Sequence, residues 1–112
     1  MSISFEEIGQ VLVTCMAEEN VVQGGVVKLA AADTVGPCAA GDRFCGVAVS
    51  AAGDGYAAVQ VKGFVTVACA DSTVVPGWNK LAADGNGGVK AGDQGGEILV
   101  MNVEDGMAVL CL

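Results

Sequence analysis

The chain has 112 residues, enough for one domain that folds without disulfides or a metal. It carries 13 acidic and 5 basic side chains, for a formal net charge of −8, whereas nucleic-acid binding needs clustered Lys and Arg. Hydrophobic residues make up 53% of the chain but aromatic ones only 4%, so we expect a core of closely approaching Ala and Val layers. No apolar run reaches the roughly 18 residues of a membrane span, and the N-terminus does not resemble a signal peptide. We therefore expect a protein made in the cytoplasm, with neither nucleic acid nor a membrane as its partner.

The first segment, residues 1–20, is predicted to be an N-terminal arm that leads into a strand. Residues 10–16 read QVLVTCM, and this run of β-branched side chains after Gly9 favours a strand. A helix is the alternative, because a capping-box pattern and the helical spacing of Phe5 and Ile8 are also present. The segment is either an ordinary edge strand with a frayed end or an arm that binds a neighbour by strand addition.

Residues 26–70 are predicted to form a first repeat unit. Its clearest strand covers residues 57–70, where apolar and polar side chains alternate. Gly63 interrupts this strand, which indicates a bulge or a bend. Shorter strands are predicted at residues 26–29 and 44–50.

Residues 71–79 are predicted to link this unit to a second one, residues 80–112. Strands are expected there at residues 98–103 and 107–112, separated by a tight Asp-Gly turn. Trp78, the sole tryptophan, lies in the linker. It would either anchor a partner, as interface aromatics do, or cover an open end of a barrel.

The two units repeat each other at a fixed offset of 51 residues. The matching turn residues are Asp33 and Asp84, Asp42 and Asp93, and Asp54 and Asp105. Each unit has the order strand, Ala-Gly-Asp turn, strand, Asp-Gly turn, strand, which implies one supersecondary unit used twice. The sequence therefore predicts an all-β fold, a small closed β-barrel or sandwich built from two similar three-stranded units plus an N-terminal strand.

Residue types that carry chemistry are scarce. The chain has no histidine, which excludes Ser–His and Cys–His pairs, and its five cysteines lack zinc-site spacing. The best case for a cation is the loop of residues 84–93, where Asp84, Asn86 and Asp93 offer oxygen atoms but lack the pattern of a calcium loop. We therefore predict no enzymatic activity, no cofactor and no metal site, and we interpret this loop as a solvated turn.

Four apolar side chains are the candidate partner contacts. They are Phe5 and Ile8 in the N-terminal arm, Phe64 just beyond Gly63, and Trp78 in the linker. All four lie outside the part of the chain that repeats closely, which is where a binding face is expected.

Residues 26–68 resemble a known family. The matching residues are Ala40-Gly41-Asp42, Gly46-Val47-Ala48, Val59-Gln60 and Gly63-Phe64-Val65. They are similar to a pattern in small proteins encoded by the head modules of tailed phages and prophages, some of which are mislabelled as recombinases. This chain has neither a nucleotide-binding loop nor a basic surface to support the recombinase label.

The resemblance implies a capsid decoration protein that binds the outside of the major capsid protein lattice and stabilises the head. It also implies a homotrimer without catalytic residues, made in the bacterial cytoplasm and ending in the virion. The residues leave one alternative open, a β module of bacterial or phage origin that binds a small ligand, a glycan or calcium.

Overall fold

The computed structural model describes residues 9–52 and 54–112, and every regular element in these ranges is a β-strand. The strands are β1 (Val11–Ala17), β2 (Val26–Ala31), β3 (Thr34–Pro37), β4 (Gly46–Ala52), β5 (Tyr56–Lys62), β6 (Phe64–Ala68), β7 (Gly77–Ala83), β8 (Val89–Ala91), β9 (Gly96–Glu104) and β10 (Met107–Cys111). The all-β class is confirmed, and β1 confirms a strand rather than a helix after Gly9. Within the described ranges, no helix is long and apolar enough to cross a membrane.

The first five strands close into a barrel in the order β1-β3-β2-β4-β5. β1 runs antiparallel to β5 and makes a short parallel contact with β3 at Met16 and Ala17. The buried residues of the barrel interior are all Val or Ala, namely Val27, Val35, Ala48, Ala57 and Val59. Such small side chains let opposite walls approach closely, as the composition predicted.

The other five strands form a second sheet in the order β6-β10-β9-β7-β8, and its inner face contributes most of a second core. Val26 on β2 and Val47 on β4 enter this second core, whereas their neighbours Val27 and Ala48 enter the barrel. Successive strand residues point to opposite faces, so the wall formed by the first residues of β2 and β4 is buried on both sides. This shared wall joins the two units.

The repeat is visible in the pairing of the strands. The order β3-β2-β4-β5 in the first unit matches β8-β7-β9-β10 in the second, and β1 and β6 each pair with the last strand. The registers match as well. Across the first unit, the paired residues run Val26–Val47–Gln60–Leu12. Across the second unit, the corresponding residues run Trp78–Leu99–Cys111–Phe64. Each unit also has a β-bulge at the same point of the ladder, where Val49 is left unpaired in the first unit and Met101 in the second. The repeated unit therefore has five strands rather than the expected three.

The chain passes from the barrel to the second sheet at Gly63. This residue has a φ of 96°, and an added Cβ would lie 2.9 Å from both the Cα of Gln10 and the carbonyl oxygen of Gly9. Beside it, the Gln60 side chain is 2% exposed and donates hydrogen bonds to the carbonyl oxygens of Lys62 (3.1 Å) and Phe64 (2.8 Å). The interruption predicted at Gly63 is thus the point at which the chain changes sheets. The buried Gln60 amide holds the backbone on both sides of the glycine.

We expect Gln60→Leu to lower the free energy of unfolding by about 1–3 kcal/mol, because two carbonyl oxygens lose their buried donor. Urea unfolding measures the loss. The matched control is Gln94→Leu, since Gln94 is exposed in the turn before β9. Equal losses in the two variants would contradict a role for the buried amide.

The Ala-Gly-Asp turn of the first unit docks on the second unit through the backbone. The Gly41 N–H donates to the Ala83 carbonyl (2.8 Å), and the Ala83 N–H donates to the Asp42 carbonyl (2.8 Å). The Asp42 carboxylate accepts hydrogen bonds from the Lys28 ammonium and from the Ala39 N–H, and these bonds lower its pKa. Asp93, the repeat counterpart of Asp42, is exposed.

In the first unit, backbone pairing links β1 to β3. In the second unit, a carboxylate links the segment after β6 to β8, the strands that correspond to β1 and β3. Asp71 accepts hydrogen bonds from the hydroxyl and N–H of Thr73 and, at 3.0 Å, from the N–H of Ala91 at the end of β8. These three bonds lower the pKa of Asp71, with the Thr73 hydroxyl as the main cause.

We expect the melting temperature to fall as the pH drops below about 4. A carboxyl whose pKa is lowered on folding stabilises the fold fully above its unfolded pKa, 3.8 for Asp, and loses that effect as the pH falls through the folded pKa. Melting curves from pH 7 to pH 2 should show that the melting temperature falls less at acid pH for Asp42→Asn and Asp71→Asn than for the unmodified protein. Asp93→Asn is the control and should behave like the unmodified protein, and parallel losses in all four proteins would contradict the assignment.

Candidate partner-binding face

An apolar row crosses four strands on the outer face of the second sheet. Trp78 on β7 pairs with Leu99 on β9, Leu99 pairs with Cys111 on β10, and Cys111 pairs with Phe64 on β6. Directly paired residues project from the same side of a sheet, so these four side chains lie next to one another. Three strand spacings make the row about 14 Å long. We call these four residues the Trp78 face.

The Trp78 face points away from the core. On the other side of the same strands, Leu81, Val100 and Leu110 are fully buried. Trp78 is 68% exposed, the highest value for any large apolar side chain in the described residues, and the other three members are half-buried. Exposed aromatic area held on a rigid sheet is typical of a contact surface for another molecule.

The corresponding row of the first unit is covered within the protein except at Leu12, the counterpart of Phe64, which is 48% exposed. By register, Val26 corresponds to Trp78 and Val47 corresponds to Leu99. Val26 and Val47 are 3% and 1% exposed, because the second sheet packs over them. These two positions are apolar in both units, but they are fully buried in the first unit alone. Trp78 is therefore the exposed counterpart of a position that is packed in the first unit.

Mostly polar side chains border this apolar row on both sides. On one side, Lys80 pairs with Glu97 next to Trp78 and Leu99. On the other side, Val109 pairs with both Asn102 and Thr66. An apolar centre with a polar rim is the usual composition of a protein–protein contact. The arrangement suits a partner that is itself apolar at the point of contact.

Two of the four predicted contact residues belong to this row. Phe64 and Trp78 occupy its opposite ends, although the sequence placed one in a strand and the other in a linker. Trp78 belongs to β7 and lies on the sheet face, so it does not cover an end of the barrel. Phe5 and Ile8 fall outside the described residues. Leu99 and Cys111 were missed because nothing but their register with Trp78 and Phe64 distinguishes them from other apolar strand residues.

Some acidic residues and cysteines of the described ranges have structural roles. In residues 9–52 and 54–112, no three Cys, Asp or Glu side chains are grouped to hold a metal. Asp84 accepts hydrogen bonds from the N–H groups of Asn86 (2.7 Å) and Gly88 (3.0 Å), and so closes the turn between β7 and β8. Burial raises the pKa of the Cys38 thiol to about 11, which makes it a poor nucleophile.

A small pocket of about 240 Å³ opens at the seam between the two units. Its walls come from the segment before β2, from the end of β3 and from the turn between β7 and β8, and they include Val21, Pro37 and Asn86. All of its lining residues are uncharged. A charged ligand would find no counter-charge there.

The comparisons with known proteins identify no family. No family model matches the chain. A search of curated proteins also found no relative.

Proposed function

We propose that the protein is a non-catalytic structural protein of a tailed-phage or prophage virion, which binds the capsid shell and stabilises it. The observation that supports a binding role is the Trp78 face, where Trp78 is 68% exposed although its counterpart in the first unit, Val26, is 3% exposed. The resemblance of residues 26–68 to capsid decoration proteins supplies the class of partner, the major capsid protein. Neither point invokes catalysis.

The proposed mechanism is thermodynamic linkage. A protein that binds only the expanded, mature shell stabilises that state by mass action, without any chemical step. The Trp78 face suits this task because its side chains are held by four paired strands, so little conformational freedom is lost on binding. Trp78 would be the anchor that enters a pocket of the shell.

We further propose that the protein acts as a homotrimer, as the resemblance implies. Three copies would present three Trp78 faces to a lattice that repeats the same pocket. Simultaneous contacts raise the overall affinity well above that of one face, provided that their spacing matches the lattice.

Co-sedimentation with purified shells tests the proposal. We expect the protein to pellet with expanded shells and not with unexpanded ones, and to raise the temperature at which expanded shells rupture. An excess of unlabelled protein should displace labelled protein, which controls for non-specific trapping. No pelleting with shells of any maturation stage would contradict the function.

The seam pocket favours a second candidate, a β module that binds a small uncharged ligand such as a sugar. Thermal-shift measurements with neutral monosaccharides distinguish the two functions. A rise in melting temperature that Asn86→Ala abolishes would favour the ligand-binding module over the shell-binding protein.

A further inference from the structure

One edge of β1 is paired along its length, and the other is open over most of it. On the first side, β1 pairs with β5 from Val11 to Met16. On the second side, only Met16 and Ala17 pair with β3. The barrel is therefore closed at one end of β1 and open along the rest of that edge.

The hydrogen bonds at the C-terminal end of β1 show which backbone groups point to the open side. The Ala17 N–H donates to Gly55 on the β5 side (2.8 Å), whereas the Met16 N–H donates to Asp33 on the β3 side (2.9 Å). N–H groups alternate in direction along an antiparallel strand. The N–H groups of Thr14 and Leu12 therefore point to the β3 side as well. In the described residues, no acceptor lies opposite them.

The side chains along this edge are exposed and uncharged. Val11, Leu12 and Val13 are 45%, 48% and 40% exposed, although they belong to a strand of a closed barrel. Edge strands are commonly protected against pairing by Lys, Pro or an inward-pointing charge. β1, which reads VLVTCMA, has none of these. Its edge is thus open to a further strand.

We propose that the open edge of β1, at Leu12 and Thr14, is a strand-addition site for an extended segment of a partner protein. Backbone donors and acceptors that recur every second residue match the backbone of another extended chain. The uncharged side chains on both faces of β1 select a segment whose own side chains are uncharged and partly apolar. The added strand would continue the ladder that begins at Met16. The site is separate from the Trp78 face and does not depend on the proposed function.

Amide exchange measured by NMR tests the site with a defined probe, the acetylated and amidated peptide Ser-Thr-Val-Thr-Val-Thr-Ser. At ten times the dissociation constant, we expect exchange of the Leu12 and Thr14 amides to slow about tenfold. The control peptide is N-methylated at every residue, so that neither of its edges can donate or approach β1 closely, and it should leave both amides unchanged.

A pair of variants separates backbone pairing from side-chain contact. Thr14→Pro removes an N–H that has no acceptor in the described structure, a change that an edge strand tolerates, and it should abolish slowing at Leu12. Thr14→Val keeps the N–H and should bind the peptide like the unmodified protein. If the proline variant fails to fold, the N-methylated peptide alone decides the question.

Three results would overturn the proposal. The first is no slowing at Leu12 with 5 mM peptide, and the second is equal slowing with the N-methylated peptide. The third is slowing that rises with protein concentration when no peptide is present, since the edge would then be occupied by a second copy of the chain.

Discussion

Replacing Gly63 with alanine is expected to lower the free energy of unfolding by at least about 3 kcal/mol. An L-residue held at a φ of 96° is strained, which costs roughly 1–3 kcal/mol. In addition, the new Cβ would lie 2.9 Å from the Gln10 Cα and from the Gly9 carbonyl oxygen, so the start of β1 would have to move away. The loss is measured by urea unfolding.

Gly55→Ala is the matched control for this substitution. Gly55 has a φ of 89°, close to that of Gly63, but a Cβ added there would meet nothing within 4 Å. We expect Gly55→Ala to lower the free energy of unfolding only by the cost of the strained backbone conformation, roughly 1–2 kcal/mol. Equal losses of unfolding free energy in the two variants would show that the close approach of β1 to Gly63 contributes nothing.

Replacing Trp78 with serine is expected to weaken shell binding about 30-fold or more, which corresponds to about 2 kcal/mol for an aromatic anchor. The free energy of unfolding should change by no more than about 0.5 kcal/mol, because the side chain is 68% exposed. Binding isotherms on expanded shells and urea unfolding give the two quantities. Tyr56→Ser, which removes another half-exposed aromatic ring from the barrel, should leave shell affinity unchanged.

The repeat supplies a second control for the same substitution. Val26 occupies the position in the first unit that Trp78 occupies in the second, and it is 3% exposed. Val26→Ser should therefore destabilise the fold by about 2–4 kcal/mol, since it leaves a cavity and buries a hydroxyl. Serine would thus impair folding at one position and binding at its counterpart. A large loss of stability in Trp78→Ser would contradict this division.

Much of the fold could be predicted from local pattern. The repeated turns and the alternation of β5 indicate an all-β chain, and Gly63 marks the point at which one apparent strand divides into β5 and β6. β3 and β8 could not be predicted, because they are four and three residues long and β3 contains Gly and Pro. The assignment of β6 to the second sheet depends on contacts with β10, which are remote in sequence.

Only half of the candidate site could be predicted. Trp78 and Phe64 are recognisable because large aromatic residues are rare in this chain. Leu99 and Cys111 connect them only through the register of three strand pairs, which a single sequence does not specify. Alternation tells which residues share a face of one strand, but the neighbours of that strand are set by closure of the whole sheet.

The fluorescence of Trp78 tests the central claim most directly, because it is the only tryptophan in the chain. Replacing it biosynthetically with 5-hydroxytryptophan allows its emission to be excited apart from the tryptophans of a capsid shell. On binding to expanded shells, we predict a blue shift of this emission and a fall in its quenching by acrylamide. Protein that pellets with shells while both signals stay unchanged would contradict the claim that the Trp78 face is the contact surface.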